Sequence, residues 1–289
     1  LLNPKGVAIV TGATGGLGYE TALGLARAGL EVVVTGRHEK RGEQAVAAIL
    51  AVVPAARLHF RMLDVASLAS VKEFAATTEG PVAVLVNNAG VMALPTRQLT
   101  EDGFERQLGT NYLCHFALTA RLLPQLRGGR VVNVSSLAHR RGRIAFDDLH
   151  GAAHYTPWAA YSQSKLAMLM FGRELQRRSD AAGWGVTSVT AHPGWSATRL
   201  VVNGQKPGLL ARAAQTAFNT LGQSAAAGAL PELYAALDPK AKPGGYYGPC
   251  CLGETRGHVT ESKVMPQARD PAACARLWEM SEVLTGVQF

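Results

Sequence analysis

The chain has 289 residues, 47% of them hydrophobic and 17% charged, with mean hydropathy close to zero. That is the composition of a globular chain with a well-buried core, and one long for a single domain unless the fold is α/β. No apolar run approaches the roughly 20 residues needed to cross a bilayer. The formal charge of +8 raises a nucleic-acid reading. The basic residues are scattered, however, and the densest cluster, His139-Arg140-Arg141-Gly142-Arg143, lacks interleaved aromatics and reads as a solvated loop.

The chain opens directly on a strand and a glycine turn, with no signal peptide or membrane anchor visible. Short apolar runs then alternate with amphipathic stretches, the pattern of a parallel sheet with crossover helices. Strands are predicted at Val7–Val10, Val32–Thr35, Leu58–Arg61, Val82–Val86, Arg130–Val134 and Val186–Ala191. They are β-branched and nearly all apolar, as strands covered on both faces must be. Helices are predicted at Tyr19–Ala28, ended by Gly29, and at Glu39–Ala51, ended before Pro54. No repeat or interdomain linker interrupts residues 1–289, which read as one domain. Two segments break the alternation: Gly142–Pro157, read as a surface insertion, and Trp195–Ala227, read as a substrate lid.

The turn Thr11-Gly12-Ala13-Thr14-Gly15-Gly16-Leu17-Gly18 follows a strand and opens a helix, the context a dinucleotide site requires. Glycines let the backbone approach a pyrophosphate, which then faces the amides of the helix N-terminus. Its spacing fits both TGxxxGxG and GxxGxxG. At the end of the second strand stands Thr35-Gly36-Arg37-His38. An NAD site commonly places a carboxylate there for the ribose 2′-hydroxyl. Here the carboxylate is missing and Arg37 is within reach of a 2′-phosphate, so the cofactor read from the chain is NADP(H).

Tyr161 and Lys165 are four residues apart in YSQSK, so phenol and ammonium project from one helix face. An ammonium there favours phenolate, which would lower the tyrosine pKa and make it a proton donor and acceptor near neutrality. His150 and His154 share i,i+4 spacing but have no third ligand, and no metal is expected. The four cysteines show no CxxC or zinc spacing; Cys114 reads as a buried thiol, Cys250–Cys251 as part of a turn-rich segment, and all as reduced.

Taken together, TGATGGLG, Asp64-Val65, Asn87-Asn88-Ala89-Gly90, Asn111, NVSS, YSQSK and His192-Pro193-Gly194 resemble the short-chain dehydrogenase/reductase family in order and context. NVSSLAHRRGRIAFDDLH and GGYYGP are similar to its retinol-dehydrogenase-like group and that group's bacterial relatives. The resemblance implies a doubly wound Rossmann sheet and a tetrad of Asn111, Ser136, Tyr161 and Lys165. Ser136 is preferred to Ser135 as the last residue of its motif. Its hydroxyl would hold the substrate oxygen, Tyr161 would exchange the proton, Lys165 would tune Tyr161 and bind the nicotinamide ribose, and Asn111 would hold a water leading from Lys165 to solvent. The resemblance also implies Asp64 and Val65 beside adenine, Asn88, Ala89 and Gly90 along the ribose, and Thr198 at the carboxamide after Pro193 and Gly194. It implies a homodimer or homotetramer packed through the helices bearing Asn111 and Tyr161. Trp195 stands where the family usually has an aliphatic residue.

The expectation is therefore a cytoplasmic NADP(H)-dependent oxidoreductase interconverting a carbonyl and an alcohol. The substrate is expected to be apolar, because Trp195, Leu200, Val201, Val202, Leu209, Leu210 and Phe218 dominate the lid segment. The alternative is a catalytically silent NADP-binding sensor or scaffold of the same fold, which the intact tetrad disfavours.

Overall fold

A strand covered by helices on both faces has no polar side to show, and the six predicted apolar runs all become parallel strands. The computed structural model describes residues 6–195 and 223–289. In chain order, β1 (Val7–Val10) feeds through the glycine turn into α1 (Gly16–Arg27), and β2 (Glu31–Gly36) into α2 (Glu39–Val52). There follow β3 (Leu58–Met62), α3 (Leu68–Ala76) and β4 (Val82–Asn87). A helical turn at Arg106–Leu108 and a π-helical turn at Gly109–Leu113 lead into α4 (Cys114–Arg121). Then come β5 (Arg130–Val134), a 3₁₀ turn at Leu137–Arg141, the long α5 (Pro157–Ala182) and β6 (Thr187–Ala191). After the gap come α6 (Ala225–Leu237), β7 (Tyr246–Cys251), β8 (Arg256–Glu261) and α7 (Pro271–Thr285).

The sheet order is β3-β2-β1-β4-β5-β6-β7-β8, with only β7 and β8 antiparallel. The chain leaves β1 toward one edge and returns from β3 to the other side of β1, at β4. The loops after β1 and β4 therefore diverge above the sheet, and that crevice is where ligands of open α/β sheets bind. Two apolar cores flank the sheet: α3, α4, α5 and α7 cover one face, α1, α2 and α6 the other.

Helix α5 has strong end signals. Thr156 caps it through Oγ1, Pro157 sits at its first position, and Gly183 ends it at φ 67°. Its buried face carries Tyr161 and Lys165, and it packs against β5, β6 and α7.

Two expectations are corrected. The turn-rich reading of Cys250–Cys251 fails, because both residues lie in β7 and their sulfurs form a vicinal disulfide rather than free thiols. The basic cluster is no solvated loop: His139 is buried, and Arg140 bonds the Gly253 carbonyl (3.1 Å) and the Glu254 carboxylate (2.9 Å). Helix α7 packs against the π turn bearing Asn111 and the helix bearing Tyr161. Trp278 of α7 packs on Phe116 (5.0 Å) and Phe171 (5.8 Å), and Ser281 bonds the Tyr112 hydroxyl at 2.7 Å. Most of the Trp195–Ala227 segment, with Thr198, lies outside the described residues. Its end is described: Ser224 caps α6, and the Gln223 amide donates to the Trp195 carbonyl at 2.9 Å.

Candidate active site

The glycine turn is shaped by contacts that exclude side chains. Gly12 has φ 64°, a left-handed conformation that favours glycine, and a Cβ there would sit 2.8 Å from the Ala89 Cβ. At Gly18 a Cβ would meet the Gly12 carbonyl oxygen at 2.6 Å and run into the Asn88 amide. Gly15 has no atom within 4 Å of its would-be Cβ and caps α1 without a side-chain bond. The first turn of α1 thus offers uncapped amides beside open space, which fits a pyrophosphate. Gly18→Ala should cost about 1–3 kcal/mol of stability by overpacking; chemical denaturation would measure it, and an unchanged midpoint would contradict the packing argument.

Thr11 ties this turn to the loop after β4. Its hydroxyl accepts from the Asn88 and Ala89 amides, each at 2.9 Å, and the Asn88 side chain donates to the Thr11 carbonyl at 2.7 Å. Asn88 and Ala89 thus brace the turn, and Gly90 lies over the tetrad candidates: a Cβ there would sit 3.0 Å from Asn111 Oδ1 and 3.7 Å from Lys165 Nζ. Asp64 holds its own loop through the Ala66 amide (2.9 Å), and Val65 is buried. Arg37 is exposed at the end of β2, while Thr14 packs over Gly36, where a Cβ would sit 2.6 Å from the Thr14 methyl.

The structure brings Ser136, Tyr161, Lys165 and Asn111 into one neighbourhood. Ser136, half-buried, follows β5 as the N-cap of the 3₁₀ turn, and a hydrogen bond from its side chain to the Tyr161 phenol favours phenolate. Ser135 turns away, donating to the Lys165 carbonyl at 2.7 Å. Lys165 Nζ donates to the Val134 carbonyl at 2.9 Å and stands 5.9 Å from the Tyr161 ring centre. The expected lowering of the tyrosine pKa is not what this geometry gives. Burial pushes Tyr161 up to about 12, and only the Ser136 bond opposes it. Burial also pushes Lys165 down to about 8, with the Glu232 carboxylate pulling the other way. The ammonium's bond to a backbone carbonyl, rather than to the phenol, is the reason its tuning is weak here.

Asn111 lies in the π turn, a distortion often found at functional sites. Its side chain is anchored at both ends: Oδ1 accepts from the Val91 amide (2.8 Å), and Nδ2 donates to the Val91 carbonyl (2.9 Å) and Ser164 Oγ (2.8 Å).

Sequence reasoning missed several residues. His115 is fully buried, with Nδ1 3.0 Å from the Asn111 carbonyl and Nε2 2.9 Å from the Thr11 hydroxyl. Burial pushes its pKa to about 4, so it is neutral with one ring proton. Nδ1–H then donates to Asn111, and Nε2 accepts from Thr11, joining the glycine turn to the π turn. The i,i+4 spacing from Asn111 was the only signal available. His139 Nδ1 lies 2.7 Å from the Ser136 carbonyl and 3.2 Å from the Tyr246 hydroxyl, steadying the serine from behind. His192 Nδ1 accepts from the Gly194 amide (3.1 Å), and its Nε2 meets Glu254 (3.1 Å), so Pro193 and Gly194 are tied to the β7–β8 hairpin. Glu232 of α6 is buried, accepts from Thr21 Oγ1 at 2.7 Å and is pushed up to about 8 by burial.

The insertion between Ser136 and Tyr161 also does more than lie on the surface. Tyr155 donates to the Leu94 carbonyl at 2.7 Å, and Gln107 links Tyr155, Pro157 and the Ala93 amide, building a wall beside Asn111. His150 stacks on Phe104 and accepts from the Glu105 amide, while the His154 amide donates to Asp148. The two histidines serve separate contacts.

Residues 6–207 match the family model for short chain dehydrogenases. The chain is 45% identical to polyprenol dehydrogenase of Mus musculus, over 98% of this chain and 84% of that protein. It is 37% identical to retinol dehydrogenase 12 of Homo sapiens, over 99% and 88% of the two chains. A crystal structure of an uncharacterised protein from Mycobacterium paratuberculosis superposes with a TM-score of 0.82 at 41% identity, covering 99% of this chain and 95% of that one.

Proposed function

Because the chain belongs to the short-chain dehydrogenase/reductase family, in its retinol-dehydrogenase-like group, we propose that it is an NADP(H)-dependent enzyme interconverting an apolar alcohol and its ketone or aldehyde. The observation that carries this reading is the Tyr161 phenol facing the Ser136 hydroxyl in the crevice beside the glycine turn. A nicotinamide bound there supplies the hydride in reduction or takes it in oxidation. Gly12, Thr14, Gly15, Gly16, Leu17 and Gly18 would hold its pyrophosphate end, Arg37 the 2′-phosphate, Asp64 and Val65 the adenine, and Asn88, Ala89 and Gly90 the ribose. Pro193, Gly194 and Thr198 would line the carboxamide.

In reduction, Tyr161 gives its proton to the carbonyl oxygen while Ser136 holds that oxygen by a hydrogen bond. Lys165 keeps positive charge below the phenol, and Asn111 and His115 hold the surrounding backbone. Trp158 stands edge-on to Tyr161 with ring centres 5.9 Å apart and is 59% exposed, so it offers an apolar surface at the mouth of the site. The relatives' names, polyprenol and retinol dehydrogenase, also denote long apolar alcohols. A cytoplasmic location is part of the proposal; among the described residues no helix is long and apolar enough to cross a membrane.

The test is NADPH consumption with a panel of apolar aldehydes and ketones of increasing chain length, beside NADP⁺ reduction with the alcohols. Turnover that rises with apolar length supports the reading; NADPH binding without turnover on the whole panel would favour a silent sensor. For the cofactor, Arg37→Leu should weaken NADPH by about 10- to 100-fold and leave NADH nearly unchanged, the loss of a charge-assisted fork. Equal loss for both cofactors would remove Arg37 from the phosphate. Introducing Asp at Gly36 is a poorer swap, since its Cβ would collide with Thr14.

A further inference from the structure

Outside the crevice, the β7–β8 hairpin gathers two sulfurs and an imidazole. The strands pair Tyr247 with Glu261, Gly248 with Thr260 and Pro249 with Val259, and then the register slips to Cys251 opposite Arg256. Cys250 is thereby left facing two residues, Gly257 and His258, as in a β-bulge. The slip carries His258 toward the cysteines, with Nδ1 3.2 Å from the Cys250 sulfur. Gly257 makes the room. It has φ 116°, and a Cβ there would lie 2.7 Å from the Cys250 sulfur and 3.0 Å from that of Cys251. The three candidate ligand atoms lie within 4.8 Å of one another, and Cys251 and His258 are open to solvent.

We propose that the reduced Cys250–Cys251 pair and His258 Nδ1 form a binding site for one soft metal cation. Neighbouring positions of a regular strand point to opposite faces, so two adjacent cysteines would not ordinarily share a ligand. Here both sulfurs already meet on one side, and a ring nitrogen is aimed at one of them. Two thiolates and an imidazole suit zinc, cadmium or copper(I), and disfavour magnesium and calcium, which take oxygen donors. Tetrahedral zinc with bonds of about 2.0–2.3 Å needs donors roughly 3.3–3.8 Å apart; His258 Nδ1 and the Cys250 sulfur, at 3.2 Å, are already near that range, and the two sulfurs separate to it once their bond is opened. The fourth position faces solvent.

The disulfide present in the structure must open first, which takes two electrons and two protons. A phosphine reductant supplies the electrons and becomes the phosphine oxide; water supplies its oxygen and the two protons. Metal binding then releases both thiol protons.

The experiment is a Cd²⁺ titration of the full chain after phosphine reduction, followed by sulfur-to-cadmium charge-transfer absorbance and isothermal calorimetry. One equivalent per chain is expected, with none in Cys250→Ser/Cys251→Ser or in unreduced protein. His258→Ala should weaken binding by at least about tenfold. Cys114 and Cys274 are buried and remain in every variant, so they form a common background. Gly257→Ala keeps all three ligands but crowds the sulfurs, and should also bind more weakly; thermal melts without metal check that each variant folds. The proposal is overturned if reduced protein takes up no Cd²⁺, if the double serine variant binds as well, or if His258→Ala binds unchanged. No readout depends on hydride transfer.

Discussion

Tyr161→Phe should lower turnover by about 10²–10⁴-fold while leaving NADPH affinity within about threefold of the parent. The phenol hydroxyl is the one group here placed both to deliver a proton to a substrate oxygen and to feel Ser136. Its pKa of about 12 means the proton is present throughout the neutral range, as reduction requires. Phenylalanine keeps the ring that Trp158 contacts, and the Ser136 hydroxyl retains the Ala138 amide at 3.2 Å, so the site should not collapse. A thousandfold loss corresponds to about 4 kcal/mol of transition-state stabilisation, far more than a surface hydrogen bond contributes. Single-turnover NADPH absorbance separates the chemical step from product release. Turnover within fivefold of the parent would end the proposed role of Tyr161.

The second large effect belongs to Lys165. The rate of reduction should be level below about pH 7 and fall about tenfold per pH unit above about 8, as the buried ammonium loses its proton. The sign follows from which form works. Burial lowers this pKa, so the charged form that lies below the phenol is the one lost as pH rises. Tyr161 is still protonated there, and His115 and His139, both held near 4 by burial, are neutral on both sides of the fall. Glu232, which titrates in the same range, opposes the loss because its ionisation favours the ammonium. Lys165→Arg should move the limb upward, since a guanidinium keeps its charge. Lys165→Met should remove the limb and cost about 10²-fold or more. A limb unmoved in Lys165→Arg would assign it to another group.

The parallel part of the sheet was legible because burial on both faces forces a run such as VAIV or VAVLVN into the chain. The β7–β8 hairpin was not. YYGPCC contains a glycine and a proline, and RGHVTE lies on an exposed edge, so neither has the apolar signature of a covered strand. The i,i+4 pair of Tyr161 and Lys165 was legible from spacing alone. What spacing could not supply was the direction of the ammonium, which ends on the Val134 carbonyl and leaves burial to set the tyrosine's proton affinity. His115 was invisible for a related reason: a histidine inside an apolar helix discloses its partners only when strands 75 or more residues apart in sequence have come together.

Helix α7 stiffens the helices that position the candidate site. Its Trp278, with Phe289 4.4 Å away, closes an aromatic seam behind the helices that carry the π turn and Tyr161. Each polypeptide therefore furnishes its own aromatic backing for the helix that carries Tyr161.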